Sequence, residues 1–227
     1  MIYIAPSILA ADASKLGDEV LKIENAGATH LHLDIMDGNF VPNISFGPNV
    51  IEALRPLSKL IFDVHLMINN PWNYIDTFIK AGADSITVHY ETFNGDDALL
   101  CDVLNSIKEK KCRTGLAISP KTPYNKILGF LPLVDMVLVM TVEPGYGGQS
   151  LIPETLDKIA PIKRAAIESG HEIHIQVDGG INENTIWRAS AQGADVFVAG
   201  SAIFKSARPK SVINTLKEQV RNHPFIG

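Results

Sequence analysis

The sequence predicts one α/β domain, residues 1–227, folded as a closed (β/α)8 TIM barrel of parallel strands. Short apolar runs of strand length alternate along the chain with patterns of helical period, in eight strand-and-helix units. A weak repeat, in which a helix end is followed by Gly-Ala and then a strand, occurs at 25 to 34, 80 to 89 and 191 to 200. An open doubly wound sheet has the same alternation, but eight units without an opening dinucleotide fingerprint favour the barrel.

The strands are predicted from apolar runs bounded by turn residues. In chain order they are IYIAPSIL (2 to 9), HLHLDI (30 to 35), LIFDVHLM (60 to 67), SITVHY (85 to 90), RTGLAIS (113 to 119), DMVLVMT (135 to 141), IHIQVDG (173 to 179) and DVFVAG (195 to 200). Helices are predicted between them at 14 to 27, 73 to 82, 97 to 110, 154 to 170 and 182 to 193. The longest stretch with neither pattern, VPNISFGPN at 41 to 49, is typical of an active-site loop.

The Gly-Ala repeat relates three strand ends to one another. Its glycines are Gly27, Gly82 and Gly193, each placed to end a helix in the left-handed conformation. Counting seven residues from each glycine leads to Asp34, His89 and Gly200, which are therefore expected at equivalent positions where their strands end. Barrel enzymes carry their chemistry at that end of the barrel.

The composition limits the kinds of partner. The chain is 20% charged, has a net charge of -5 and contains no run of lysine or arginine, which argues against binding nucleic acid or an anionic membrane. Small soluble molecules are therefore the expected partners. The first residues show no basic segment followed by a long apolar one, and Cys101 and Cys112 are too few for a disulfide framework. We expect a cytoplasmic protein with reduced cysteines.

Two imidazoles and two carboxylates end three of the predicted strands. His32 and Asp34 lie two apart on one strand and so share a face, while His65 and Asp178 close two others. Each of them could instead satisfy only a hydrogen bond inside the barrel, as isolated histidines usually do. Four such side chains at one barrel mouth favour a divalent metal site, and two nitrogen and two oxygen donors suit zinc, iron, manganese or cobalt alike.

Glycine-rich turns follow the last three predicted strands, at PGYGGQ (144 to 149), DGGIN (178 to 182) and AGSAIF (199 to 204). Glycine lets backbone amides approach an anion closely. In barrels, the loops after the last two strands frequently bind phosphate together with a short helix, which 201 to 204 would supply. Any one of these glycine pairs is more typical of a simple turn, but all three at neighbouring strand ends favour a phosphate site.

Three methionines lie near strand ends. Met36 is in phase with Asp34 and Met67 with His65, and Met140 ends the sixth strand, so all three are expected to face the pocket. Two interpretations stay open for them. They form either a water-excluding wall beside a reacting carbon or a flexible filling of the core.

Other polar residues carry weaker signals. His89 ends the fourth strand without an acidic neighbour in phase, which indicates a pocket-wall residue. His30, Asp63 and Gln176 each lie two positions before a candidate metal ligand, so they face inward one layer deeper and either support the ligands or only satisfy one another. Lys205 is either a phosphate contact or a surface charge, and we assign it no role.

Four longer strings resemble the ribulose-phosphate 3-epimerase family, namely HLDIMDGNFVPNISFGP (32 to 48), DVHLM (63 to 67), VMTVEPGYGGQ (139 to 149) and VDGGIN (177 to 182). Matches extend from APSILAAD (5 to 12) to AGSAIF (199 to 204), which is nearly the whole chain. The sequence departs from the family at Tyr146, where phenylalanine is frequent, and at Glu143, where asparagine is frequent. Neither departure removes a donor from the candidate site.

The resemblance implies roles for individual residues. It implies that His32, Asp34, His65 and Asp178 hold one divalent metal ion per subunit, with Asp34 and Asp178 also acting as the acid/base pair. Substrate contacts are implied for Ser7, His65, Gly145, Tyr146, Gly147, Gly148, Asp178, Gly179, Gly180, Gly200 and Ser201. Because family members are commonly oligomeric, we expect a homo-oligomer.

The resemblance also implies a sugar-phosphate substrate and epimerisation at C3, which interconverts D-ribulose 5-phosphate and D-xylulose 5-phosphate in pentose phosphate metabolism. One carboxylate cannot reach both faces of a carbon, so two are needed, with a metal ion neutralising the enediolate between the two proton transfers. An epimerase of a six-carbon ketose phosphate and a noncatalytic sugar-phosphate binding barrel stay open as alternatives. An aldolase or decarboxylase is disfavoured, because no lysine ends a predicted strand to supply a Schiff base.

Overall fold

The computed structural model describes residues 2–225, and its strands form one parallel sheet of eight. The strands are β1 (Tyr3–Pro6), β2 (His30–Met36), β3 (Ile61–Met67), β4 (Ser85–His89), β5 (Arg113–Ile118), β6 (Met136–Met140), β7 (His174–Asp178) and β8 (Val196–Ala199). Each lies within its predicted apolar run, apart from one extra residue at the end of β2. All eight predicted strands are confirmed.

The sheet closes into a barrel. Its strand order is β1-β8-β7-β6-β5-β4-β3-β2, and every hydrogen-bonded pair in that order is parallel. A parallel bridge between Ser7 and His32 joins the two ends of the order, just beyond β1 and within β2. The predicted single-domain (β/α)8 TIM barrel is therefore confirmed.

Helices cover the outside of the barrel. They are α1 (Leu16–Asn25), α2 (Pro48–Leu54), α3 (Ile75–Ala81), α4 (Asp97–Glu109), α5 (Ile159–Glu168), α6 (Ile186–Gln192), α7 (Ser201–Phe204) and α8 (Pro209–Asn222). The helix predicted at 154 to 170 begins with a 3-10 helix, Pro153–Lys158, and the last residues of the predicted loop at 41 to 49 already belong to α2. No helix within residues 2–225 has both the length and the apolar character needed to cross a lipid bilayer.

The connection between β5 and β6 departs from the regular alternation. Two 3-10 helices, Tyr124–Lys126 and Leu128–Leu133, stand where the other units have an α-helix. Pro132 lies inside the second of them and lacks the N–H that a continuing α-helix requires, and Gly129 lowers the helix propensity further. The eight strands are thus regular, whereas their helical connections are not.

Strand β2 shows why polar residues lie inside this barrel. All seven of its residues are buried. Leu31, Leu33 and Ile35 belong to the apolar core between strands and helices. The alternate residues, His32 and Asp34 among them, therefore face the barrel interior. The alternation in HLHLDIM separates an apolar outer layer from a polar inner one.

The three repeat glycines adopt the predicted conformation. Gly82 and Gly193 end α3 and α6 with φ angles of 112° and 111°, and Gly27 follows α1 with a φ of 94°. A side chain at these angles would be strained, so glycine is favoured at each position. These caps turn the chain directly from a helix into the next inner strand.

Candidate active site

His32, Asp34, His65 and Asp178 come together at the C-terminal end of the barrel. Asp34 and His65 are register partners on β2 and β3, so their side chains point the same way. One ligand atom from each of the four residues lies within 4.8 Å of the others. The Asp34 Oδ1 atom is 3.3 Å from both His32 Nε2 and His65 Nδ1, and those two nitrogens are 3.4 Å apart. The four residues that the sequence placed at separate strand ends therefore lie close together in space.

Asp178 approaches this cluster from another side. Its Oδ2 atom is 3.8 Å from His32 Nε2 and 3.9 Å from His65 Nδ1. Its side chain is 16% exposed, whereas those of His32 and His65 are completely buried. Asp178 therefore faces both the other three groups and the space above them.

A deeper layer of polar residues holds His32 in place. Asp63 Oδ2 is 2.8 Å from His32 Nδ1 and also accepts a hydrogen bond of 2.6 Å from Gln176 Nε2. This contact occupies Nδ1 and directs Nε2 of His32 at the cluster. For the three inward residues, two interpretations were open, and the contacts of Asp63 and Gln176 favour support of a ligand, since Asp63 contacts His32 and Gln176 holds Asp63. The third, His30, contacts Thr29 Oγ1 at 2.9 Å instead.

Two serines hold Asp34. The Ser7 hydroxyl donates to Asp34 Oδ2 at 2.5 Å, on the opposite side of the carboxylate from the histidines. The Ser45 hydroxyl donates to the Asp34 carbonyl and accepts from the Met36 amide at 3.0 Å. Ser45 lies in the loop after β2, where sequence reasoning had no periodicity with which to find it.

The expectation for His89 is wrong on both counts. His89 is completely buried and does not line the cavity described below. Its Nδ1 atom lies 3.0 Å from Glu91 Oε2, an acidic neighbour two residues along, and its Nε2 atom lies 2.9 Å from His65 Nε2. Glu91 was overlooked because it lies beyond the strand, in the 3-10 helix Tyr90–Phe93.

Burial and neighbouring charges shift the pKa values of the cluster in opposite directions. Burial lowers the pKa of His32, but the carboxylates of Asp34 and Asp63 outweigh it and hold that pKa well above its ordinary value. Burial raises the pKa of Asp34, but His32 beside it outweighs this effect and keeps the pKa well below its usual range. Burial, followed by the charge of Asp34, raises the pKa of Asp178 to about 7. A second negative charge is thus unfavourable here without a cation beside it.

A cavity of about 690 Å³ opens above the cluster. Most of the sequence-predicted site residues line it, namely Ser7, Asp34, Met36, Met67, Met140, Gly145, Tyr146, Gly147, Gly148, Asp178, Gly179, Gly180, Gly200 and Ser201. His32 and His65 do not line it, because they are completely buried. Arg188 on α6 and Lys205 after α7 also line the cavity. Arg188 escaped sequence analysis, since nothing marks a helical arginine as facing a cavity.

Glycine is required where the loops after β6 and β7 meet. A Cβ atom on Gly180, whose φ is +67°, would lie 2.3 Å from the Leu151 backbone nitrogen, and one on Gly179 would lie 2.5 Å from the Val142 side chain. Thr141 ties the two loops together, because its hydroxyl donates to the Gly179 carbonyl at 2.6 Å. The backbone at this end of the cavity is therefore packed without room for side chains.

The loop after β6 is also tied to the loop after β2. Asn43 Nδ2 donates to the Gly145 carbonyl at 2.9 Å, and the Tyr146 hydroxyl donates to the Pro42 carbonyl at 2.8 Å. Phenylalanine, which is frequent at this position in the family, lacks the hydroxyl with which Tyr146 makes this contact between the loops. Tyr146 remains 54% exposed.

Fold and site together define the class of protein: a (β/α)8-barrel enzyme with a two-histidine, two-carboxylate centre below a cavity rimmed by glycine-rich loops. The family model described as the ribulose-phosphate 3 epimerase family matches residues 3–204. The chain belongs to the ribulose-phosphate 3-epimerase family, and it is an epimerase.

Curated relatives agree over nearly the full length. The ribulose-phosphate 3-epimerase of Synechocystis sp. is 43% identical over 226 residues, covering 100% of this chain and 97% of its own. That of Bacillus subtilis is 44% identical over 218 residues, covering 96% and 99%. The matched length thus spans almost the whole barrel.

Solved structures with much lower identity share the fold. The 3-keto-L-gulonate-6-phosphate decarboxylase of Vibrio cholerae matches with a TM-score of 0.72 at 16% identity, covering 98% of both chains. The 3-hexulose-6-phosphate synthase of Salmonella typhimurium matches with a TM-score of 0.63 at 18% identity, covering 98% of this chain and 100% of its own. These likenesses concern the barrel alone.

Proposed function

We propose that this protein interconverts D-ribulose 5-phosphate and D-xylulose 5-phosphate by epimerisation at C3. The observation that carries the proposal is the pair of carboxylates, Asp34 on β2 and Asp178 on β7, at the floor of one cavity. The two strands lie three places apart around the barrel, so the carboxylates reach the cavity from different directions. The names of the curated relatives support the choice of substrate.

We further propose that His32, Asp34, His65 and Asp178 hold one divalent metal ion per subunit. The donor set fits such an ion, because two imidazole nitrogens and two carboxylate oxygens lie within 4.8 Å of one another in a buried place. Zinc, iron, manganese and cobalt all accept these donors. When bound, the ion would supply positive charge that stabilises the negative charge developing on substrate oxygens.

The two carboxylates then move protons. Epimerisation requires that the C3 proton be removed from one face and that a proton be returned to the other, with an enediolate between the two transfers. Asp34 is suited to this task because Ser7 and the two histidines fix its orientation. Asp178 is suited to the second transfer because it is partly open to the cavity. Which aspartate removes the proton depends on the direction of the reaction.

The other end of the cavity is proposed to bind the phosphate group. Backbone amides of the glycine-rich turns, Gly145 to Gly148, Gly179 with Gly180, and Gly200 with Ser201, would surround the anion. Arg188 and Lys205 add positive charge to the same cavity. Met36, Met67 and Met140, all nearly buried, form an apolar wall that excludes water from the reacting carbon. His65, expected also to contact the substrate, does not line the cavity, so we assign it only the role of a residue that would hold the metal ion.

The test is an assay of the purified protein with D-ribulose 5-phosphate, before and after removal of metal by a chelator. We expect D-xylulose 5-phosphate to form, the activity to be lost with chelator and to return when a divalent ion is added. Turnover of six-carbon ketose phosphates in preference to the pentulose would favour the related epimerase instead. Binding without turnover of either would leave a noncatalytic sugar-phosphate barrel.

A further inference from the structure

A chain of hydrogen-bonding groups runs from the back of His65 away from the cavity. His65 Nδ1 faces Asp34, while His65 Nε2 lies 2.9 Å from His89 Nε2. On the far side of His89, Nδ1 lies 3.0 Å from Glu91 Oε2. Both rings are completely buried, and their planes are inclined by only 23°. Nothing in the proposed reaction uses His89 or Glu91.

Glu91 is held as an acceptor at both of its oxygens. Its Oε1 atom accepts a hydrogen bond of 2.8 Å from the Ser119 amide and another from the Thr122 hydroxyl. Lys158 fixes the same segment, because its Nζ donates to the Ser119 and Thr122 carbonyls at 2.9 and 2.7 Å. The loop after β5 is therefore bound to Glu91, which leaves Oε2 pointed at His89.

Glu91 sets the direction of both hydrogen bonds in the series Glu91–His89–His65. A carboxylate can only accept, so the Nδ1 atom of His89 donates to it. A neutral imidazole carries one hydrogen, so Nε2 of His89 is bare and accepts from Nε2 of His65. His65 then has its hydrogen on Nε2 and a free lone pair on Nδ1. That nitrogen is the one that faces Asp34 and Asp178.

We propose that His89 and Glu91 are positioning residues that fix His65 as an Nδ1 donor to the divalent metal ion, an inference that rests on the metal set of the proposed function. The two histidines of the site then present different nitrogens. His32 is oriented by a carboxylate directly, through Asp63, and presents Nε2. His65 is oriented by a carboxylate through a second imidazole and presents Nδ1.

The first test measures metal affinity in the variant Glu91→Gln. An amide has one accepting and one donating end, so whichever way it turns, a donor meets either His89 Nδ1 or the Ser119 amide. We expect the dissociation constant for Zn²⁺ or Co²⁺, measured by competition with a chelator, to rise about 10- to 100-fold. Activity is not needed for this measurement.

The matched control is Glu24→Gln. Glu24 is also half-buried and also accepts from one hydroxyl and one backbone amide, Ser58 Oγ at 2.7 Å and the Lys59 amide at 3.1 Å. Loss of these bonds should lower the melting temperature of the metal-free protein about as much as Glu91→Gln does. The metal affinity of Glu24→Gln should equal that of the wild type.

The second test determines which ring nitrogen of His65 and of His89 carries the hydrogen. In the zinc-loaded wild type with ¹⁵N-labelled histidine, long-range ¹H–¹⁵N spectra should show His89 with its hydrogen on Nδ1 and His65 with its hydrogen on Nε2. The reverse assignment at His89, or equal metal affinity in Glu91→Gln and the wild type, would overturn the inference while leaving the metal site intact. A wild type that binds neither ion would overturn the proposed metal site as well.

Discussion

The two ends of the cavity are built from different parts of the chain. At the floor, His32, Asp34 and His65 lie on strands, are buried, and are each held by a further side chain. At the rim, Gly180 and its neighbours offer backbone, on loops that leave residues such as Tyr146 half-exposed. Proton transfer needs particular side chains in fixed orientations, whereas an anion needs only amides that approach closely enough. The two ends should therefore respond to opposite kinds of mutation.

The largest effect is expected at the floor, where removal of one charge is enough. Asp34→Asn and Asp178→Asn should each reduce the turnover of D-ribulose 5-phosphate by about 10²- to 10⁴-fold, because an amide cannot take a proton from carbon. The circular dichroism spectrum should be unchanged. In D₂O, Asp178→Asn should still exchange the C3 hydrogen on one face without epimerising the sugar.

Asp195→Asn is the control for these variants. Asp195 lies just before β8, pairs with Lys163 at 3.3 Å and accepts from the Ile175 amide at 3.0 Å. It is an aspartate in a comparable bonding network but at the other end of the barrel, so its turnover should equal that of the wild type. Wild-type turnover in Asp34→Asn or Asp178→Asn would disprove the two-carboxylate mechanism.

At the rim, addition of one methyl group should matter more than removal of a charge. In Gly180→Ala the new Cβ would lie 2.3 Å from the Leu151 nitrogen, so the loop after β6 has to move. We expect KM to rise by about tenfold, equivalent to about 1.4 kcal/mol, with a smaller change in kcat. Steady-state kinetics with the sugar phosphate measures both.

Gly170→Ala separates collision from backbone strain. Gly170 has a similar φ of +73°, but a Cβ there meets nothing within 4 Å, and it lies after α5, outside the cavity lining. Both variants should lose about 1–2 kcal/mol of stability from the left-handed conformation. Only Gly180→Ala should change KM, and an equal KM in the two would show that this turn does not bind the phosphate.

The smallest effect is expected from the two cations at the rim. Arg188→Gln and Lys205→Gln should each raise KM by about two- to fivefold, because partly exposed charges are screened by water and salt. The increase should shrink at high ionic strength. Lys59→Gln, an exposed lysine at the N-terminal end of β3, should leave KM unchanged. A KM that does not respond to either rim substitution would assign phosphate binding to the backbone alone.

Much of the floor was predictable because strand periodicity is a strong constraint. Side chains two residues apart on a strand lie on the same face. This rule was sufficient to predict that His32 and Asp34 point together and that Asp63 lies one layer below His65. The same rule failed at His89, since Glu91 follows the strand in a 3-10 helix where a period of two no longer applies. The contact between Glu91 and His89 depends on the loop after β5, which holds the Glu91 carboxylate in place.

The rim and the connections were predictable only in part. Glycine strings indicated the loops, but not that Asn43 and Tyr146 would join two of them. Arg188 could not be recognised, because its position depends on how α6 packs against the barrel. No helix was predicted between β5 and β6, although the alternation of strands and helices would place one there. The prolines and glycine of this segment favour short 3-10 helices instead.

The bridge between Ser7 and His32 has a consequence for the synthesis of the protein. It closes the barrel, and the Ser7 hydroxyl then reaches Asp34. Strand β1, which leaves the ribosome before the other seven, pairs along its length with β8, the last of the eight strands to be made. Until β8 has emerged, β1 has no partner on that side to hold Ser7 against β2. A chain interrupted between β7 and β8 would therefore carry His32, Asp34, His65 and Asp178 and still lack the closed barrel that brings Ser7 to Asp34.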